Sequence, residues 1–306
     1  MARRLWVAIA SAPAALIGCH SSDNSLPSDP PTSIEMVSAG GFESPTDAVA
    51  SPDGRTFYFA AWDVDKQPAL FQVSSEAGSA PSPLTAGDPL DAPLGLVMSC
   101  DGKTLYVADM GGETGAILAA STSGGAATPI AATGLQRPGG LAMAPDCKSL
   151  FATGRLDDDT PALFEVPLAG GEARVVYQGA PLVAPTGLHV DDHGVAWVMD
   201  HHAQGADGEG VLFAIPSDGG AATEVMSDLR MGTPGGVSLT AGGGTAVMAT
   251  RDADGNAQLT SVDIASHRVT QLPTPDMADP AGLRTARKAG VFVVVDAETG
   301  SIYRAE

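Results

Sequence analysis

Aromatic residues make up only 5% of this 306-residue chain, and 16 basic residues face 36 acidic ones. The resulting formal charge of −20 repels phosphate backbones, so nucleic acid is excluded as an expected partner and cationic, neutral or metal-bridged partners are favoured. Helical periodicity is missing after residue 20, where the abundant alanines sit among Gly, Thr and Pro rather than at helical spacing. Three local signatures are absent as well: a Gly-x-Ser-x-Gly nucleophile elbow, a phosphate-cradling glycine loop and a His-Glu-x-x-His metal helix. What the chain does have is turn formers. Its 37 Gly and 23 Pro are about a fifth of all residues, short of the level that marks low-complexity disorder, and 44% apolar residues are enough to fold.

The first residues, MARRLWVAIASAPAALIGC, place two arginines before an apolar run and a small-residue end, the anatomy of a secretory signal. The run is too short for a comfortable membrane span. Its end, Leu16-Ile17-Gly18-Cys19, resembles the lipobox of bacterial lipoprotein signal peptides. The resemblance implies cleavage after residue 18 and a lipid on Cys19; the plain alternative is ordinary cleavage beside an incidental cysteine. Loss of Arg3 and Arg4 with the signal leaves 14 basic residues and a charge of −22. His20 follows the cysteine, where an Asp tends to retain lipoproteins in an inner membrane, so the outer membrane is the expected address. Residues 20–33, HSSDNSLPSDPPTS, are polar, proline-rich and aperiodic, and read as a flexible tether. The chain thus divides into a signal (1–18), a lipidated cysteine with its tether (19–33) and a folded domain (34–306).

That domain repeats itself. SPTDAVASPDGRTFYFAA (44–61), APLGLVMSCDGKTLYVAD (92–109) and RPGGLAMAPDCKSLFATG (137–154) share one grammar, and it returns at 184–200, 233–250 and 279–296. The opening prolines, Pro45, Pro93, Pro138, Pro185, Pro234 and Pro280, are spaced 48, 45, 47, 49 and 46 residues apart. Each copy offers a short apolar strand, a tight turn, a second strand, a polar loop and a third strand such as ALFQV (69–73) or ALFEV (162–166). A Gly-rich turn then leads to a fourth strand: TPIAA (128–132), RVVYQ (174–178) or TEVMS (223–227). One four-stranded sheet cannot bury both of its faces, but six stacked around an axis can. The expected fold is an all-β, six-bladed β-propeller. The sixth copy stops at its third strand, SIYRA (301–305), while IEMVSAG (34–40) precedes the first copy as an orphan strand. Pairing the two closes the ring and removes a free edge.

The pattern Pro-x-Gly-[Leu/Val] followed by Asp-Gly and an apolar strand ending in Val-Ala-Asp resembles the NHL, YWTD and gluconolactonase-like (TolB-like) six-bladed propellers over 34–306. That resemblance speaks to architecture; the scaffold hosts unrelated functions. In the gluconolactonase-like group carboxylates and an Asn near the inner-strand starts hold a metal. Here those positions carry Leu94, Gly139, Thr186, Gly235 and Ala281, and only Asp47 in blade 1 matches, one residue late.

In such propellers the loops between second and third strands share a face with the blade-joining loops. Here that set is acidic: DVD (63–65), DMGGE (109–113), RLDDD (155–159), DHHAQGADGE (200–209), RDAD (251–254) and DAE (296–298). The second strands end on Ala61, Asp109, Gly154, Asp200, Thr250 and Asp296, with Arg155 and Arg251 one position on in two of the intervening blades. Two readings stand. Asp109, Asp200 and Asp296 converge on the channel mouth to hold a divalent cation such as calcium, or they form blade-to-blade Asp–Arg pairs or cap tight loops. His201 and His202, with Asp200, Asp207 and Glu209, are candidate transition-metal ligands in a loop that reads equally as solvated, and adjacent histidines in extended chain point apart. DADGN (252–256) resembles part of a calcium loop without its closing Glu. His189, on the inner strand of blade 4, reads as a core histidine. Cys100 and Cys147 fall in matching turns of blades 2 and 3 and are either bridged, as an exported protein permits, or separate buried thiols. The leading functional reading is a lipid-anchored extracytoplasmic module that binds a protein, glycan or envelope component through Asp109, Asp200, His201, His202, Arg155, Arg251 and Asp296. The alternative is a metal-dependent hydrolase or lactonase.

Overall fold

A computed structural model describes residues 27–204, 209–274 and 276–306. Six four-stranded antiparallel sheets run in sequence order, and one short 3-10 turn at Ala241–Gly243 is the single helical segment among the described residues. The inner strands are Glu43–Ala50, Pro93–Met98, Leu141–Met143, Pro185–Val190, Val237–Leu239 and Pro280–Thr285. Apolar residues on both faces of the middle strands, such as Thr104–Asp109 and Val195–Asp200, are buried because each sheet is covered on both sides by its neighbours. The core accordingly falls into six hydrophobic clusters, one for each pair of adjacent blades.

The ring closes where the sequence pattern places the seam. Ile34–Ala39 pairs antiparallel with Ser301–Ala305, so the last blade is built from both ends of the chain. Thr32 and Ser33 extend the closure by donating backbone N–H groups to the Glu306 carbonyl. Aromatics are scarce, yet four of the eight phenylalanines (Phe42, Phe57, Phe59 and Phe71) lie in the cluster between blades 6 and 1. Phe42 and Phe71 flank Phe59 with ring centroids 4.6 and 5.2 Å from it. The junction beside the non-covalent seam, which itself lies within blade 6, is thus the richest in phenylalanine.

Two details differ from the strand pattern read in the sequence. The fourth strand of blade 2 ends at Ile130, because Ala132–Thr133 leaves it to pair in parallel with Gly171–Glu172 of blade 3. The fourth strand of blade 4 runs on to Leu229, whose side chain is buried against blade 5.

Around the axis, the glycine of each Pro-x-Gly start lets neighbouring inner strands nearly touch. A Cβ on Gly187 would lie 1.7 Å from the Gly235 carbonyl oxygen, and one on Gly140 would lie 1.8 Å from that of Thr186. This narrow ring of backbone separates two faces: the loop face, with the second-to-third strand loops, and the turn face, with the first-to-second strand turns.

On the turn face Cys100 and Cys147 form a disulfide between blades 2 and 3, with Cα atoms 6.0 Å apart. Cys147 takes the left-handed turn position (φ 61°) that glycine fills at Gly54 and Gly102 in the matching turns. Closing a 47-residue loop contributes about 4 kcal/mol in the chain-entropy model. Reduction is therefore expected to lower Tm by about 8 °C. An unchanged melt after thiol titration has confirmed that the bridge is open would rule this out.

Candidate functional site

On the loop face each of the three strand-ending aspartates has its own task. Asp109 accepts backbone N–H groups from Asp91, Ala92 and Gly111. Asp200 does the same for Val183, Ala184 and His202, and Asp296 for Ala278, Asp279 and Thr299. In every case the carboxylate is buried and fixes the blade-joining segment that precedes its own inner strand. Among the described residues no group of three or more His, Cys, Asp or Glu is placed to hold a metal ion.

Blades 3 and 5 hold the equivalent segments by main chain instead. Gln136 bridges Arg155, and Arg230 bridges Arg251. The two arginine side chains then diverge. Arg155 turns back to Asp159 of its own loop and reaches the Val183 carbonyl, while Arg251 pairs with Asp279 across the junction of blades 5 and 6. In the longest loop, His201 lies against the segment that opens blade 5, with Nε2 3.3 Å from the Pro234 carbonyl, and burial lowers its pKa. His202 is exposed and its ring is 6.4 Å from that of His201. Glu209 lies 3.9 Å from Arg230, and Asp207 falls outside the described residues. In the DADGN segment, Asp252 takes the N–H groups of Asp254 and Asn256, closing the loop on itself. Cys19 is likewise outside the described residues.

A cavity of about 610 Å³ occupies the channel and opens at the turn face. The inner strands contribute Val49, Val97 and Ala142 from blades 1 to 3, and His189, Ser238 and Arg284 from blades 4 to 6, to its wall. One half of the wall is therefore apolar and the other polar.

Toward the loop face the cavity is closed by an ion pair absent from the sequence reading. Asp47 stands where the other five blades have the Pro-x-Gly glycine, and it is buried. Its Oδ2 accepts Nε and Nη2 of Arg284 at 3.0 and 2.8 Å, and the Leu96 N–H at 2.9 Å. Arg284 Nη1 continues across the channel to the Leu188 carbonyl, 2.9 Å away. One guanidinium thus ties blade 6 to blades 1 and 4. Burial pushes the Asp47 carboxyl above its usual range even though the Arg284 charge draws it down. The signal for this pair was in the sequence: beyond the opening prolines, Asp47 and Arg284 are the only formally charged residues in the inner strands.

His189 is held neutral. Burial, reinforced by the charge of Arg284, lowers its pKa from 6.5 to about 4. As pH falls from 6.5 the unfolded chain takes up this proton, but the folded chain does not until about 4. Stability from this group is complete above the upper value and declines below it, by roughly 3 kcal/mol at pH 4. His189→Val is expected to flatten that part of a pH titration of the urea midpoint; an identical slope in the variant would exclude the assignment.

The sequence matches no protein-family model and no curated protein. Its likeness is to solved structures. A chain of the nidogen/laminin complex superposes with TM-score 0.62 at 19% identity, over 79% of this chain and 85% of that one. A structural-genomics protein of unknown function from Bacteroides thetaiotaomicron gives 0.64 at 13% identity, over 92% and 74%. TolB from Acinetobacter baumannii gives 0.52 at 15% identity; the match covers 87% of this chain and 64% of TolB. At these identities the likeness establishes the six-bladed propeller fold, a scaffold that hosts unrelated functions.

Proposed function

We propose that the protein is a lipid-anchored extracytoplasmic binding module whose loop face meets a protein, glycan or envelope partner. One observation carries the reading. Asp109, Asp200 and Asp296 fix the joining segments from beneath, so the loops above them are preorganised, and preorganised surfaces lose less entropy on binding. Around these segments the loop face presents exposed Glu113 and Glu298 from blades 2 and 6, and Asp65, Asp157, Asp158 and Asp254 from blades 1, 3 and 5. A surface of this charge selects partners with a basic or neutral contact patch. The disulfide agrees with an oxidising compartment. A propeller of the same fold in the nidogen/laminin complex supports a role in protein contact.

The test has two arms. Cys19→Ala is expected to abolish labelling with a radioactive fatty acid and move the protein out of the membrane fraction; retained labelling would end the anchor reading. Asp65, Asp157, Asp158 and Asp254, changed together to Asn, are expected to leave the melting curve intact and remove partners cross-linked in solubilised envelopes. An unchanged cross-linking pattern would end the loop-face reading.

A further inference from the structure

The channel cavity lies on the opposite side of the ring from the acidic loops, and its wall is sorted by blade. Val49, Val97 and Ala142 form an apolar half, continued at the mouth by Pro52, Cys100 and Pro145. His189, Ser238 and Arg284 form a polar half, continued at the mouth by Arg287 and Lys288.

The charges on that polar half are unevenly engaged. Arg284 is neutralised by Asp47, but only three of its five N–H groups are used on Asp47 and Leu188. Asp191 is fully engaged by the backbone of His193 and Val195 and by Trp197 Nε1. Arg287 and Lys288 form no ion pair among the described residues, and exposed Asp192 stands near Arg287. Within a chain of charge −20 this mouth is locally balanced, with Arg287 and Lys288 set against Asp191 and Asp192. The volume lies within the roughly 300–1,000 Å³ typical of small-molecule sites, which combine apolar walls with a few convergent polar groups.

We propose that this cavity binds a small amphipathic monocarboxylate. Its apolar body lies on blades 1 to 3, and its carboxylate faces the unused Arg284 N–H groups and the Arg287 and Lys288 cations. Access agrees with the fold. The Pro27 carbonyl accepts the Ala241 N–H at the cavity mouth, so the chain enters the domain on this face. Residues 19–26 reach at most about 28 Å from there. Under the anchor reading, the mouth faces the membrane side, where apolar-bodied anions concentrate. The site itself stands on the cavity and does not need the anchor.

The experiment is calorimetry on the chain carrying Cys19→Ser, purified without detergent, so that its outcome is separate from that of lipidation. Octanoate is expected to bind saturably, 1-octanol and octylamine at least tenfold more weakly. From butanoate to octanoate, affinity is expected to rise about fourfold per methylene. Arg287→Glu with Lys288→Glu, both exposed, is expected to weaken octanoate at least tenfold with an unchanged melt. Ala142→Phe, which fills the apolar half, is expected to abolish binding. Absence of saturable octanoate binding, equal binding of octylamine, or an unchanged affinity in the exposed double variant would overturn the site.

Discussion

A chain lacking residues 34–40 is expected not to form the ring at all. These residues supply the whole fourth strand of blade 6, pairing Ile34 with Ala305 through to Ala39 with Ser301. Their loss removes buried Val37 and turns Ser301–Ala305, now central, into a bare edge. Ile302, Tyr303 and Ala305 would lose cover in the two clusters that flank blade 6. Each lost ladder bond costs about 1 kcal/mol, and each uncovered apolar side chain about 1.5–3 kcal/mol. The sum is on the order of 10 kcal/mol, comparable with the roughly 5–15 kcal/mol stability of a whole domain. The truncated chain should show no cooperative melt and should bind a hydrophobic dye. A truncated protein melting within a few degrees of the intact one would refute the closure. Point variants test the same claim without demolition. Val37→Asp, at 1% exposure, is expected to be severely destabilising, and Met36→Asp, at 41%, close to neutral.

The closure was legible in the sequence because it rests on local signals. Six proline-led starts at a near-constant period, five of them Pro-x-Gly, a truncated last copy and an orphan apolar strand can each be read within a short window. The aspartates at 109, 200 and 296 were legible as a pattern, but not their task. Whether three carboxylates converge or each caps its own joining segment depends on how those segments fold over the strand ends, and backbone N–H groups leave no trace in a sequence. The Asp47–Arg284 pair was hidden for a different reason. Its partners lie 237 positions apart and meet only because the ring brings its first and last blades together. The two-sided cavity was hidden likewise, since Val49, Val97, Ala142, His189, Ser238 and Arg284 form a set only once the inner strands are known to share an axis.

Replacing Asp47 by Ala is expected to destabilise the protein by about 3–5 kcal/mol, the cost of leaving a buried charge without its partner. The Arg284 guanidinium, 9% exposed, would keep only the Leu188 carbonyl, and the Leu96 N–H would lose its acceptor inside the ring. In a domain of this size that corresponds to a fall of about 10 °C or more in Tm. Asp47→Gly, which restores the residue the other blades carry, should cost nearly as much, because the unpaired guanidinium and not the lost side-chain volume sets the penalty. Arg284→Val alone strands the Asp47 carboxylate and should be comparably harmful. Combined, the two substitutions remove both charges and install the Gly and Val that blade 2 carries as Gly95 and Val97. The double variant is therefore expected to recover most of the loss, giving a coupling of at least about 2 kcal/mol in a double-mutant cycle read by urea unfolding. Additive single effects, or singles costing under about 1 kcal/mol, would mean that the pair does not hold blades 1, 4 and 6 together.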